Sequence, residues 1–143
     1  MHMLTMFGHY DTLPTNQQFV ICGQSAVKVH GLTTTRPKFH VYATKPLPYN
    51  DPEVNIHIID SFDEIGWTMK NNRPVTTVLQ TAIDIYGKRM KFDPQIFYEM
   101  IIKLHDKYHD VFLQLADMLT DEALERYKYY CDEYIYTEDY VYV

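Results

Sequence analysis

The feature that most constrains the fold is a change in hydrophobic periodicity near Val75. Before that residue, apolar and polar side chains alternate in short segments, a pattern typical of β-strands. After it, apolar side chains recur every three to four residues, as in amphipathic helices. One such change in a chain of 143 residues indicates a single α+β domain spanning residues 1–143. We therefore predict a small mixed β-sheet followed by a three-helix C-terminal half that covers one face of it.

The segments of short period predict three or four strands separated by turns. The strands are expected over residues 18–22, 38–43, 54–59 and 66–70, with a turn at Asn71-Asn72 after the last of them. A short helix between the first two strands is expected to begin with Ser25 as its N-cap and to stop at Gly31. Residues 1–16 are expected to form an irregular lead-in.

The C-terminal half is expected to contain three helices and a tail. The first helix begins its apolar stripe at Val75 and stops at Gly87. The second begins near Asp93-Pro94 and continues to about residue 119, and the third runs from about residue 120 to about residue 134. Residues 135–143 have high strand propensity and are expected to form an edge strand or a tail.

The composition excludes several classes of protein. No apolar run approaches the roughly 18 residues of a membrane span, and the first residues lack the basic and apolar segments of a signal peptide. Cys22 and Cys131 belong to no Cys-x-x-Cys pair, so we expect free thiols in a cytoplasmic protein of a bacterial or phage-infected cell. The excess of acidic over basic residues, nineteen against thirteen, disfavours direct binding to nucleic acid.

The negative charge is confined to the C-terminal end. Residues 1–116 hold eleven basic and eleven acidic side chains, whereas residues 117–143 hold two basic and eight acidic ones, with seven of the thirteen tyrosines. Carboxylates attract a basic protein surface, and tyrosines supply amphipathic contact area. An ordinary solvated helix with a frayed tail is the alternative. The predicted partner-binding residues are Glu122, Glu125, Tyr129, Asp132, Glu133, Tyr136, Glu138, Asp139 and Tyr140.

The patterns that could carry catalysis are each incomplete. Gly23-Gln24-Ser25 follows a strand and opens a helix, as in nucleotidyltransferases, but the next strand lacks the carboxylates that would hold Mg²⁺. His105 and His109 are spaced as in the helix of zinc proteases, but no third ligand is evident. We therefore expect a protein without catalytic activity, metal or cofactor. A nucleotide-binding enzyme of the nucleotidyltransferase type stays open as an alternative.

Two segments resemble a known family, the AbiE-type antitoxins of type IV toxin–antitoxin systems. The segment Cys22-Gly23-Gln24-Ser25-Ala26-Val27-Lys28-Val29-His30-Gly31-Leu32 resembles the family motif G-x-S-A-x-x-x-H-G-L. Residues 73–86 resemble the family's segment V-S-P-x-Q-x-x-L-D-L, in the same order and at a similar separation. The resemblance covers about residues 18–115. It implies structural roles for Gly23, Ser25, His30, Gly31, Gln80 and Asp84.

The resemblance implies a non-enzymatic domain that opposes a nucleotidyltransferase-like toxin. Because only about 17 residues precede the first strand, we expect the winged-helix DNA-binding domain usual in the family to be missing. Together with the charge pattern, this predicts a binding protein whose acidic, tyrosine-rich end occludes a basic site on a protein partner. The partner is either a toxin or a nucleic-acid-binding nuclease, which the protein would inhibit as a DNA mimic, in the manner of an anti-CRISPR factor.

Overall fold

A computed structural model describes residues 19–35, 38–46, 53–89 and 93–136, and within them five strands form one mixed sheet. The strands are β1 (Val20–Ile21), β2 (Phe39–Ala43), β3 (Val54–Ile58), β4 (Trp67–Lys70) and β5 (Arg73–Thr76). Their order is β3-β2-β1-β5-β4, so the first strand lies at the centre. β1 is antiparallel to β2 and parallel to β5, β2 is parallel to β3, and β4 and β5 form an antiparallel hairpin.

One helix lies between the first two strands, and the others follow the sheet in sequence. The helices are α1 (Gly23–Val29), α2 (Val78–Tyr86), α3 (Gln95–Lys107), α4 (His109–Met118) and α5 (Asp121–Cys131), and a π-helical turn (Asp132–Tyr136) extends the last of them. This architecture confirms the predicted α+β class. None of the helices in these residues is both long enough and apolar enough to span a membrane.

Among the described residues, three apolar clusters form the core. One face of the sheet packs against α1, in a cluster of Phe19, Ile21, Ala26, Phe39, Val41 and Val75. The other face packs against the segment that follows β3, in a cluster of Val20, Cys22 and Tyr42 with Ile59, Phe62 and Ile65. The largest cluster lies among the helices and includes Tyr86, Met100, Leu104, Leu115 and Tyr127. Burial of one such side chain stabilises the fold by roughly 1.5–3 kcal/mol, so this cluster holds the C-terminal helices together.

The helix predicted from Val75 begins later, because residues 73–76 form a fifth strand that the sequence pattern did not predict. Thr77 is the N-cap of α2, where its hydroxyl accepts a hydrogen bond from the Gln80 amide at 3.1 Å. The predicted turn at Asn71 and Asn72 is present, and both residues are left-handed, with φ of 54° and 62°. This turn type folds β4 back onto β5 and so draws Val75 into the sheet.

The single helix predicted over about residues 93–119 is wrong, because the structure contains two helices there. Tyr108, with φ −129° and ψ 53°, separates α3 from α4. The apolar stripe keeps its phase across this residue, and so periodicity alone does not reveal the break. The predicted start of α3 is confirmed by Asp93, whose carboxylate accepts a hydrogen bond from the Gln95 amide at 3.0 Å.

Two further predictions differ from the structure. Cys22, not Ser25, is the N-cap of α1, and Ser25 lies inside the first turn of the helix. Of the two alternatives for residues 135–143, the edge strand is not formed at residues 135 and 136, which belong to the π-helical turn. The neighbouring Tyr134 stacks on Tyr98 of α3, a tertiary contact that outweighs strand propensity. Two predicted segments lie outside the described residues: the lead-in over residues 1–16 and the tail from residue 137. The tail includes Glu138, Asp139 and Tyr140.

Candidate functional site

The motif that resembles the antitoxin family begins where β1 passes into α1. Gly23, with φ of 56°, makes the turn that starts the helix directly after Cys22. The Ser25 hydroxyl donates to the Lys38 carbonyl at 2.8 Å and accepts from the His40 amide at 2.7 Å. Ser25 therefore joins α1 to β2, and its hydroxyl has both a donor and an acceptor partner inside the protein.

His30 and Gly31 complete the motif at the other end of α1. The Nε2 atom of His30 lies 2.7 Å from the Thr76 carbonyl oxygen, which can only accept, so Nε2 carries the proton. Nδ1 is then free to accept from the Lys70 ammonium group at 3.4 Å. Burial lowers the pKa of His30, in agreement with a neutral ring. The imidazole therefore connects the end of α1 to the β4–β5 hairpin.

Gln80 and Asp84 lie one turn apart on α2 and belong to one buried polar network. Asp84 accepts hydrogen bonds from the Tyr42 hydroxyl at 2.8 Å and from the side-chain amide of Gln80 at 3.0 Å. It also forms a salt bridge with Arg89 at 3.2 Å. The side-chain oxygen Oε1 of Gln80 accepts from the backbone amide of Gly66 at 3.1 Å. Burial raises the pKa of Asp84, against the opposing effect of these partners. The network attaches α2 to β2 and to the loop before β4.

The polar groups of the motif residues thus form hydrogen bonds within the scaffold. The Ser25 hydroxyl and the Asp84 carboxylate are both bonded inside the protein, and burial raises the pKa of the Cys22 thiol, which keeps it unreactive. In the portion of the chain that the structure describes, no group of three or more His, Cys, Asp or Glu side chains is placed to hold a metal ion.

Sequence reasoning missed a histidine pair on neighbouring strands. His40 of β2 and His57 of β3 stack with ring centroids 5.2 Å apart, and Nδ1 of His40 lies 2.9 Å from Nε2 of His57. Nε2 of His40 is buried and has no hydrogen-bond partner among the described residues. Burial, together with the charges of His57 and Lys38, lowers the pKa of His40 to about 4. The alternation of the strands placed these rings on one face, but their contact depends on the strand register.

The two histidines spaced as in zinc proteases lie at the junction of α3 and α4. Nδ1 of His105 lies 3.0 Å from the Asp106 carboxylate, and Nδ1 of His109 lies 3.1 Å from the backbone carbonyl oxygen of His105. Both rings contact Phe112, His105 in a T-shaped arrangement and His109 by stacking. The pair therefore borders the apolar core at the point where the two helices meet.

The predicted partner-binding residues that the structure describes form an exposed acidic surface on α5 and the π-helical turn. All six face solvent: Glu122, Glu125, Tyr129, Asp132, Glu133 and Tyr136. Tyr129 is 56% exposed and Tyr136 is 45% exposed, which is high for large aromatic side chains. We call these residues the acidic surface.

The opposite side of α5 fixes this surface to the helical core. The Tyr127 hydroxyl donates to the Phe112 carbonyl at 2.5 Å, and the Arg126 guanidinium donates to the Tyr86 carbonyl. Arg126 is therefore directed inward. Within the described ranges, neither Arg126 nor Lys128 forms a salt bridge with Glu122, Glu125 or Glu133. The negative charge of these three residues is therefore left open to a partner.

A stack of four aromatic rings borders the acidic surface and joins α3 to the end of the chain that the structure describes. Phe97 and Tyr130 stack at 5.1 Å, Tyr130 and Tyr134 at 5.9 Å, and Tyr134 and Tyr98 at 5.3 Å, with interplanar angles of 17°, 12° and 23°. The one-turn spacing of Tyr130 and Tyr134 was visible in the sequence. Their insertion beside two adjacent residues of α3 depends on how the helices pack.

No protein-family model matches the sequence, and no curated protein matches it either. The likeness to AbiE-type antitoxins therefore depends on the two sequence motifs alone.

Proposed function

We propose that this chain is a non-enzymatic binding protein that covers a basic site on a protein partner with its acidic surface. The observation that carries the proposal is the outward orientation of Glu122, Glu125 and Glu133 while the neighbouring cation, Arg126, is bonded inward to the Tyr86 carbonyl. A solvated helix with no such role would gain by pairing these charges within the helix.

The chemistry of the surface suits a protein partner with clustered Lys or Arg. Exposed carboxylates speed the encounter with a positive surface. The exposed rings of Tyr129 and Tyr136 add rigid contact area at a low cost in side-chain entropy. The partner that we favour is a nucleotidyltransferase-like toxin, because the two motifs that resemble the antitoxin family lie in the scaffold behind this surface.

Charge reversal at the acidic surface tests the proposal. We expect the combined variant Glu122→Lys, Glu125→Lys, Asp132→Lys and Glu133→Lys to lose the partner in an affinity capture with the full chain as bait. The matched control reverses four exposed acids elsewhere: Asp60→Lys, Asp63→Lys, Glu64→Lys and Asp110→Lys. Both variants change the net charge equally, and so only a local contact distinguishes them.

The control variant is expected to bind like the parent, and both should bind more weakly as salt rises, since exposed charges are screened beyond ~10 Å at about 0.1 M salt. Equal capture by the two variants would contradict the proposal. Mass spectrometry of the captured protein separates the two classes of partner, because a nuclease would indicate inhibition by mimicry of DNA and a nucleotidyltransferase would indicate antitoxin action.

A further inference from the structure

The aromatic stack beside the acidic surface ends in the helical core on one side and at a half-buried tyrosine on the other. Phe97, at the inner end, is 6% exposed and lies in the helical core. Tyr98, at the outer end, is half-buried and carries the Tyr134 ring on one face. In the part of the chain described here, no second aromatic ring lies against Tyr98. The stack therefore ends at Tyr98, whose second ring face carries no further aromatic ring among the described residues.

We propose that the outer face of Tyr98 receives an arginine side chain of the basic partner, an inference that rests on the proposed function and specifies its anchor. The guanidinium group is planar, weakly hydrated and always charged, and it stacks on aromatic faces while its edge still donates hydrogen bonds. The Lys ammonium group is compact and strongly hydrated, so it gains less from such a face. The site therefore distinguishes Arg from Lys.

The surroundings of Tyr98 match the two parts of an arginine side chain. Ile102, one turn further along α3, is 37% exposed and offers apolar contact to the methylene groups. Glu133, next to Tyr134 in the π-helical turn, is exposed and has a carboxylate for the guanidinium edge. The stack holds Tyr98 in place before binding, so little side-chain entropy is lost when the partner docks.

The test compares oligo-arginine and oligo-lysine peptides of equal length, labelled for fluorescence anisotropy, on the full chain. We expect the parent to bind the arginine peptide about two- to fivefold more tightly than the lysine peptide. Tyr98→Leu, which keeps the apolar volume, should remove this preference, and Tyr98→Phe, which keeps the ring face, should retain it. The matched control is Trp67→Leu, which removes an exposed aromatic ring on β4, outside the acidic surface and the stack, and should leave the preference unchanged. Circular dichroism and the unfolding midpoint verify that each variant is folded.

Three outcomes are decisive. Equal binding of the two peptides by the parent would overturn the inference, and so would a preference that persists unchanged in Tyr98→Leu. In both cases, loss of binding in the charge-reversed variant would leave the proposed function standing. If the charge-reversed variant binds both peptides as tightly as the parent, the acidic surface is not the contact, and the proposed function falls together with the inference.

Discussion

At the scale of single residues, two helix ends show how backbone conformation decides which residue type fits. α1 and α2 end in the same motif, in which a backbone amide bonds to the carbonyl of the residue five positions earlier. In α1 the Leu32 amide donates to the Val27 carbonyl at 2.9 Å, and in α2 the Arg89 amide donates to the Asp84 carbonyl at 3.1 Å. The left-handed position in this motif is Gly31, with φ of 70°, in α1, but Lys88, with φ of 53°, in α2. A side chain in that conformation costs roughly 1–2 kcal/mol, because its Cβ approaches the following carbonyl oxygen.

Replacement of Lys88 by glycine is therefore expected to stabilise the protein by about 0.5–1 kcal/mol, after allowance for the greater freedom of glycine in the unfolded chain. Lys88 is exposed, so no packing is lost. Urea unfolding of the parent and Lys88→Gly measures the difference in the free energy of unfolding. The reverse control is Gly31→Ala, where an added Cβ meets nothing within 4 Å and should cost about 1 kcal/mol from the backbone alone. A Lys88→Gly variant that is less stable than the parent would refute the argument.

At the scale of elements, Glu99 of α3 holds the loop that follows α1. One carboxylate oxygen accepts from the Thr33 hydroxyl at 2.6 Å and from the Thr34 amide at 2.8 Å. The other accepts from the Thr34 hydroxyl and from the Gln95 side chain, both at 2.8 Å. Partial burial of Glu99 raises its pKa, but these hydrogen bonds outweigh it and lower the pKa to about 2. The charged form of Glu99 therefore joins the loop to the helix.

Glu99→Gln is expected to destabilise the protein by about 1 kcal/mol at neutral pH, because an amide cannot accept all four hydrogen bonds. The folded pKa lies below the unfolded one, so the contribution of Glu99 is present above about pH 4.5 and is lost as the pH falls toward 2. Urea unfolding at a series of pH values measures it. Glu125→Gln, at an exposed carboxylate on α5, is the control and should leave the stability unchanged. A Glu99→Gln variant as stable as the parent at pH 7 would show that the contact does not matter.

At the scale of the whole molecule, the sheet register makes stability sensitive to acid. His40 pairs with Asn55 across β2 and β3, and His57 pairs with Tyr42, so the two imidazoles are diagonal neighbours. Burial lowers the pKa of both rings, that of His40 to about 4. The unfolded chain therefore takes up protons at pH values where the folded chain does not.

The pKa of His40 is lower in the folded protein than in the unfolded chain. The stability that depends on its neutral ring is therefore fully present above about pH 6.5. Stability is expected to fall by up to about 3 kcal/mol as the pH drops from 6.5 to 4. Urea unfolding across this range measures the loss, and His40→Phe should flatten the dependence. An NMR titration of the His40 ring gives a direct check in the parent, with a midpoint near pH 4 expected. A midpoint near 6.5 would contradict the structure.

Much of the architecture could be predicted from the sequence, because hydrophobic period reports which face of an element is buried. The α+β class, the Asn71-Asn72 turn, the stop of α1 at Gly31 and the end of α2 before Gly87 all followed from local patterns. β5 did not, because Val75 fits a strand and a helical stripe equally well, and only pairing with β1 and β4 distinguishes them.

The candidate site likewise has some features that could be predicted from the sequence and others that could not. The concentration of carboxylates and tyrosines after residue 116 is a property of the chain alone. Their exposure on one side of α5 follows from the helical period, because Tyr127 and Cys131 take the buried side. The inward hydrogen bond of Arg126 and the four-ring stack were not visible, since each brings together residues more than 30 positions apart.

By itself, the sequence determined the class of the fold, the ends of several helices and the charge of the C-terminal end, because these depend on local conformation and on composition. Only the tertiary structure decided which side chains meet: Asp84 with Tyr42, His40 with His57, and Tyr98 with Tyr134. Such contacts depend on strand register and helix packing, which are set by the burial of the whole apolar core and not by any single segment.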